Sequence, residues 1–217
     1  MGMRTPFLAI AAASIGLLLA GIASTQARAQ LVNPSFEAPA TEKDAGWTLF
    51  DLSRYSDKYA RGGKRSLFHF GFSRTVSYAP FLLGNVAGSF QEFDAEPGSQ
   101  WRLTGYAMTP TPLKGTPAFG IVQISFFDAD GNDLGTLETV GSEVAKAKTS
   151  NELNNRSAPE VWTLLDTGVA TAPKNTATVQ AFTLYVDYSN SNVSQGVYFD
   201  DLTLCRVSDT GECIDQP

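Results

Sequence analysis

The sequence predicts an all-β chain, a two-sheet antiparallel jelly-roll β-sandwich with a short helical or irregular insertion near 142–158. Three observations predict it. Short runs rich in Val, Ile, Phe, Tyr and Thr recur along the chain, and Gly/Pro turns separate them. Where the pattern is clearest it has period two: Trp101, Leu103, Gly105 and Ala107 oppose Arg102, Thr104, Tyr106 and Met108, as in a half-buried antiparallel strand. Little of the chain carries a helical period, so a parallel α/β fold is disfavoured.

Taken in order, the chain opens on Arg4, an apolar run from Phe7 to Ala23, and Ala27-Arg28-Ala29, which reads as a cleavage site. Residues 1–29 are therefore expected to be a cleaved signal peptide. The chain from Gln30 onward then has 188 residues, one domain's worth, and is expected to be secreted or periplasmic. Leu31 to Glu37 reads as a short first strand interrupted by Pro34, and Gly46 to Leu52 as a second. A polar connection from Ser53 to Lys64 ends in Gly62-Gly63, and Ser66 to Phe70 follows as a strand. Arg74 to Gly84 is an apolar-aromatic loop without a period. Gly88 to Phe93 is a strand that turns at Glu96-Pro97-Gly98 into Gln100–Met108. Three prolines make Thr109–Pro117 a surface loop.

Gly120 to Phe127 alternates again, with Val122, Ile124 and Phe126 against Gln123 and Ser125. Asp128 to Asp133 resembles a calcium loop only superficially. Its Gly falls too early and Thr139 stands where a Glu is needed, so it reads as a hairpin turn leading to a short strand, Leu134–Val140. Ser142 to Leu153 is expected to form a short helix. Val161–Val169, Ala177–Asp187 and a last strand from Gln195 to Cys205 complete about ten strands.

In the last strand Val197 and Phe199 share one face, but Leu202 and Leu204 continue the row one residue out of phase. A β-bulge at Asp200-Asp201 absorbs such a slip. Two adjacent carboxylates there either meet solvent at a strand edge or are compensated by a cation or by donors.

The 16 Lys and Arg against 22 Asp and Glu give a formal charge of −6, and −8 once residues 1–29, with two Arg and no acid, are removed. That balance argues against a nucleic-acid partner, which needs clustered cations, and no membrane association is expected after cleavage. Cys205 and Cys213 are the only cysteines. In an exported chain they are expected to form a structural disulfide that pins the tail 206–217 onto a domain spanning 30–205.

Several separated pieces resemble the CenC-type carbohydrate-binding modules, within the wider galactose-binding-like β-sandwich group. They are Asn33-x-Ser35-Phe36-Glu37, Trp47, Gly63 to Leu67, Phe90-Gln91, Pro97-Gly98, Tyr106, Phe127 to Gly131, Trp162 and Val197 to Leu202. The resemblance implies a carbohydrate-binding, non-catalytic protein that takes a poly- or oligosaccharide on a sheet face or at a loop edge, as a monomer. It also implies a structural Ca²⁺ held by Glu37, Asp200 and the backbone carbonyl of Lys64, with Asp201 turned outward. Ca²⁺ takes both carboxylate and carbonyl oxygens. The alternative for the same residues is that Glu37 and Asp200 accept backbone hydrogen bonds without a metal. Such modules usually accompany a catalytic domain, and none is seen in this sequence.

A sugar ring presents apolar C–H faces to aromatic rings and hydroxyls to polar groups, so the faces not used for the core are where a ligand is expected. Arg102, Tyr106 and Gln123 fit. Tyr185 joins them if Phe182, Leu184 and Val186 point inward, although Val179 and Ala181 suggest the opposite phase. Tyr55, Tyr59 and Tyr78 are a loop-edge alternative, while Trp47, Trp101 and Trp162 are expected in the core. His69 is the only histidine, no G-x-S-x-G stands at a strand–helix turn, and no Glu-x-Asp-x-x-Glu strand is present. A structural or adhesive surface protein is the other reading, and a polysaccharide-active enzyme a third.

Overall fold

The computed structural model describes residues 30–38, 45–71, 85–114, 118–135, 148–187 and 194–214. The signal-peptide expectation, most of the predicted 134–140 strand, and Tyr78 lie outside them. Ten strands form two antiparallel five-stranded sheets. The first sheet has the order β1 (Thr48–Phe50), β4 (Asn85–Asp94), β9 (Thr178–Asp187), β6 (Ala118–Phe127), β7 (Lys148–Thr149). The second has the order β2 (Ser53–Ser56), β3 (Ser66–Gly71), β10 (Gln195–Arg206), β5 (Gln100–Met108), β8 (Thr163–Thr171). The predicted β-sandwich is what the chain builds.

Alternation sets the core between the sheets. Trp101, Leu103 and Ala107 of β5 point inward, as do Leu67 of β3 and Val197 and Phe199 of β10. They meet Val122, Ile124 and Phe126 of β6 and Val179, Ala181 and Tyr185 of β9. The expected bulge is present: the β10–β5 register shifts between Asp200 and Thr203, and Asp201 takes φ 49°. Leu202 and Leu204 thereby return to the core. Removing an apolar row of this size from water is the main stabilising term of such a fold. Cys205 and Cys213 are joined, their Cα atoms 5.5 Å apart, and Val207 bridges Cys213, so the tail folds back beside β10.

Three expectations change. Leu31–Glu37 is not a ladder strand, because Asn33 and Phe36 adopt positive φ and the segment turns, Phe36 N–H donating to Asn33 C=O. The Gln91 side chain stands in for a neighbouring strand, accepting from Val32 N–H at 2.9 Å and donating to Val32 C=O at 2.6 Å. Ser53–Ser56, read as connection, pairs with β3 as β2. The helix expected over Ser142–Leu153 fails over its described part. Lys148 and Thr149 pair with β6, and Leu153, fully buried, exchanges both backbone hydrogen bonds with Gly120. Backbone groups satisfied laterally by β6 are not available for helical bonds.

Candidate functional site

The four residues expected to bind ligand do not form one site. Arg102 and Tyr106 share the outer face of the second sheet, as the β5 alternation predicted. Arg102 is engaged there by Asp166 through two parallel bonds, Nε to Oδ1 at 2.9 Å and Nη2 to Oδ2. The pairing raises the Arg102 pKa and lowers that of Asp166. Tyr106 lies under the Arg61 guanidinium, 3.5 Å from its ring centroid, and Arg61 is held by Asp201 at 2.6 Å. Tyr185 is a correction. It is completely buried in the core, and its hydroxyl donates to Asp187 at 2.9 Å, so it cannot meet a ligand from outside. Burial and the Asp187 carboxylate both push its phenol upward. Gln123 lies on the other sheet. Trp47 and Trp101 are buried as expected, Trp162 only half.

Glu37, Lys64 and Asp200 do converge. The turn from Arg61 to Arg65 receives both carboxylates. Glu37 accepts from Lys64 N–H and Arg65 N–H at 2.9 Å, while Asp200 Oδ2 accepts from Arg61 N–H at 2.7 Å and Gly62 N–H at 3.3 Å. Gly63, at φ 62°, sits against the Glu37 carboxylate with no room for a Cβ. Asp200 is fully buried, and desolvation pushes it up to about 6 against the opposing pull of these N–H donors. Asp201 turns outward as expected, accepting from Ser35 at 2.8 Å. N–H groups, rather than carbonyls, thus face the two carboxylates. Among the described residues no three acidic, His or Cys side chains gather around one point.

The first sheet carries an arrangement of a different kind on its outer face. Registers align Thr48, Phe90, Phe182, Gln123 and Thr149 into one rung across all five strands. At its centre the Phe90 and Phe182 rings are 5.5 Å apart and tilted by 36°. On one side runs a polar rung, Glu92–Gln180–Ser125, in which Gln180 donates to Glu92 at 2.6 Å. On the other runs an apolar rung, Phe50–Gly88–Leu184–Ile121. Gly88 is required there, since a Cβ would stand 2.5 Å from the Phe50 ring and 2.7 Å from Leu184.

Gln123 joins the two kinds of surface. Its amide donates to Ser125 at 2.9 Å, while its Oε1 is buried and has no hydrogen-bond partner among the described residues. Buried acceptors are normally paired, so an unpaired one on a half-open face invites a donor from a ligand. Phe90, Phe182, Glu92 and Gln180 were not among the ligand candidates the sequence offers. The available signal was the Val179/Ala181 phase, which puts Phe182 and Gln180 outside.

No family model matches the chain, and no curated protein sequence does. Solved structures similar to it include three of interest. One is TmCBM61 in complex with β-1,4-galactotriose (13% identity, TM-score 0.47, covering 80% of this chain and 95% of that one). Another is the CBM22-1 xylan-binding domain from Paenibacillus barcinonensis Xyn10C (16%, 0.47, 84% and 97%). A third is the enzymatically active domain of bacteriophage CBA120 tailspike protein 4 (16%, 0.48), where 81% of this chain covers 21% of that one. The chain therefore spans about a fifth of the tailspike domain. At these values the likeness carries no inference about this chain.

Proposed function

We propose that the chain is an exported, monomeric, non-catalytic carbohydrate-binding domain whose ligand lies on the outer face of the first sheet, across Phe90 and Phe182. The observation that carries this reading is the rung that sets two aromatic rings beside the unpaired Gln123 Oε1 and the Glu92–Gln180 pair. The rings take the C–H face of a pyranose. Gln123 accepts a sugar hydroxyl once its side chain turns to expose the buried Oε1, and Glu92 and Gln180 supply further partners at the rim. No Lys or Arg lies on these rungs among the described residues, and Glu92 adds negative charge, which favours a neutral glycan. Export is supported by the N-terminal apolar run with its Ala-x-Ala and by the Cys205–Cys213 bond.

The test is affinity electrophoresis of the chain from Gln30 onward against neutral plant and bacterial glycans. Binding to at least one is expected, weakened about thirtyfold in Phe182→Ala, since buried aromatic contacts at binding faces are worth about 2 kcal/mol. Failure to bind any glycan, or unchanged binding in Phe90→Ala and Phe182→Ala, would remove the site.

The resemblance in the sequence also implies a Ca²⁺, which we carry as a separate proposal. Glu37 and Asp200 would hold it, with the Lys64 carbonyl, and the ion would supply positive charge tying the segment before β1 to β10. Convergence of both carboxylates on one turn and the burial of Asp200 support it. Five backbone N–H groups already serve these oxygens, so the ion has to share or displace them. Thermal unfolding with Ca²⁺ and with excess chelator decides. A higher midpoint with metal, lost in Asp200→Ala, is the expected result, and coincident curves would leave the N–H clasp alone.

One observation favours a second reading, a glycan-cleaving enzyme: Glu92 and Asp94 alternate onto the same outer face of β4. Two carboxylates two residues apart on a strand stand about 7 Å apart, within reach of one glycosidic bond. Release of reducing ends that disappears in both Glu92→Gln and Asp94→Asn would establish that reading.

A further inference from the structure

The outer face of the second sheet has a chemistry the first lacks. Between Arg54 and Arg65 the chain carries five Lys or Arg and one acid, Asp57, in a molecule whose overall charge is −6. Part of this charge is consumed. Arg61 pairs with Asp201, and Arg65 donates to the Glu37 carbonyl. Arg54 and Lys58 are both exposed, and among the described residues neither makes an ion pair. Each instead sits on aromatic rings. The Arg54 guanidinium is 5.0 Å from the Phe70 centroid and 5.6 Å from that of Phe68, and the Lys58 ammonium is 5.2 Å from the Tyr59 centroid.

Those rings form one continuous stack. Phe70 lies on Phe68 at 5.2 Å and 11°, Phe68 on Tyr198 at 4.3 Å and 21°, and Tyr59 closes edge-on against Tyr198 at 5.0 Å. Gly196 makes the stack feasible, because a Cβ there would press into the Phe68 ring at 2.7 Å. A guanidinium placed over ring faces spends no N–H donor on them, and its donor edge is a fork matched to a carboxylate. With Arg54 at one end of the stack and Lys58 at the other, two positive groups flank an aromatic strip.

We propose that this strip, at the β2–β3–β10 side of the second sheet, is a second binding site for a carboxylate-bearing polysaccharide. Its partner has one carboxylate per sugar, spaced along a chain whose ring faces are apolar. Arg54 takes one carboxylate through its fork, Lys58 takes another as a point charge, and the exposed parts of Tyr59 and Phe68 meet the intervening C–H faces. Complementarity of charge decides the class of occupant. Two unpaired cations on an acidic protein suit a polymer of low charge density, whereas a polyphosphate releases too few counterions here to outweigh the net negative charge. The proposal is independent of the first-sheet site, since the two faces lie on opposite sides of the core.

The test is affinity electrophoresis of the chain from Gln30 onward in polygalacturonate, and in the same polymer with its carboxylates reduced to alcohols. Retardation in the first and not the second is expected, with binding weakened by salt. Loss of two charge-assisted contacts in R54Q/K58Q is expected to lower affinity about tenfold or more. Arg54→Lys, keeping charge but not the fork, is expected to fall between, and Phe182→Ala to leave this binding unchanged. If R54Q/K58Q does not fold by circular dichroism, Lys58→Gln alone, at an exposed position, serves in its place. Equal retardation of Phe182→Ala, which lacks the first-sheet site, in both polymers, no retardation of wild type in either, or wild-type retardation of R54Q/K58Q overturns the proposal. So does equally tight binding of single-stranded DNA or phosphatidylserine vesicles, which would mark an unselective cationic patch.

Discussion

The two outer faces of the sandwich are made from the same kinds of residue and end in different states. On the second sheet, aromatic rings are stacked on one another and capped by cations, Arg102 is locked to Asp166, and Tyr106 is covered by Arg61. The turn from Arg61 to Arg65 delivers N–H groups to Glu37 and Asp200, so those carboxylates are satisfied within the molecule. On the first sheet the rings of Phe90 and Phe182 are only half-buried, and the Gln123 acceptor has no partner among the described residues. Aromatic and polar content alone does not make a site. What separates Gln123 from Arg102 and Arg61 is whether the polar group has already spent its hydrogen bonds within the molecule, and only at the Arg54–Lys58 side does the second face keep cations of its own.

Between the faces lies a group that should make the whole comparison sensitive to acid. His69 is entirely buried, its Nε2 2.7 Å from Thr183 Oγ1, which is in turn 2.7 Å from Ser89 Oγ. This chain of side chains links the second sheet to the first. Burial pushes the imidazole down to about 3. A histidine with a depressed folded pKa contributes no penalty above its unfolded value near 6.5. As pH falls from there toward 3, the unfolded chain takes up a proton that the folded one refuses, and stability drops. The slope is about 1.4 kcal/mol per pH unit, so about 2.5 kcal/mol is expected to go between pH 6.5 and 4.5. Asp200, pushed upward by burial, works in the opposite direction over part of that window. The informative measurement is therefore urea unfolding of wild type and His69→Gln at both pH values. The variant is expected to lose less stability on acidification, and parallel losses in the two proteins would refute a refused proton at His69.

Much of the frame was legible. The slip of the apolar row at Asp200-Asp201 required a bulge, and β5 showed its two faces because only one of them is buried. β9 hid its phase for the opposite reason. Val179, Ala181 and Tyr185 face the core while Leu184 and Val186, on the outer side, are also less than a tenth exposed, so period-two contrast disappears. Tyr185 was placed outside on that ambiguity. β2 looked like a loop because Ser53, Arg54 and Ser56 are polar, yet Tyr55 packs inward on Phe36 and β3 offers it an edge. Of the first-sheet site only Gln123 was legible. Glu92 and Gln180 are 88 positions apart, and only the β4–β9 register makes them neighbours.

Gln123 sharpens the contrast at a smaller scale, because binding and stability should move in opposite directions. Gln123→Met keeps the side-chain length and removes the unpaired acceptor. An unsatisfied buried group costs about 1–3 kcal/mol, part of which is recovered when it is deleted, although the bond to Ser125 is lost with it. Unfolding stability is expected to stay within about 0.5 kcal/mol of wild type or to rise. Affinity for a glycan bound by wild type is expected to fall about five- to tenfold, the worth of one hydrogen bond to a buried acceptor. A variant that binds as well as wild type would show that Oε1 does not face the ligand.

The smallest effect belongs to Arg102, the second-sheet residue whose type most invited a ligand role. Its side chain is 42% exposed and that of Asp166 27%, so the pair is screened and worth at most about 1 kcal/mol. The pairing geometry is parallel and two-pronged, and Asp166 Oδ1 also accepts from Gly168 N–H at 2.8 Å, which ties the ion pair into the bend of β8. Arg102→Gln is therefore expected to lower stability by about 0.5 kcal/mol, a difference that shrinks as salt is raised. It should leave binding unchanged both for neutral glycans on the first sheet and for polygalacturonate at the Arg54 strip. If instead this substitution abolished binding of either class with stability intact, the Arg102–Asp166 pair would open to meet the ligand. The second face would then be a site across its whole width rather than at one side.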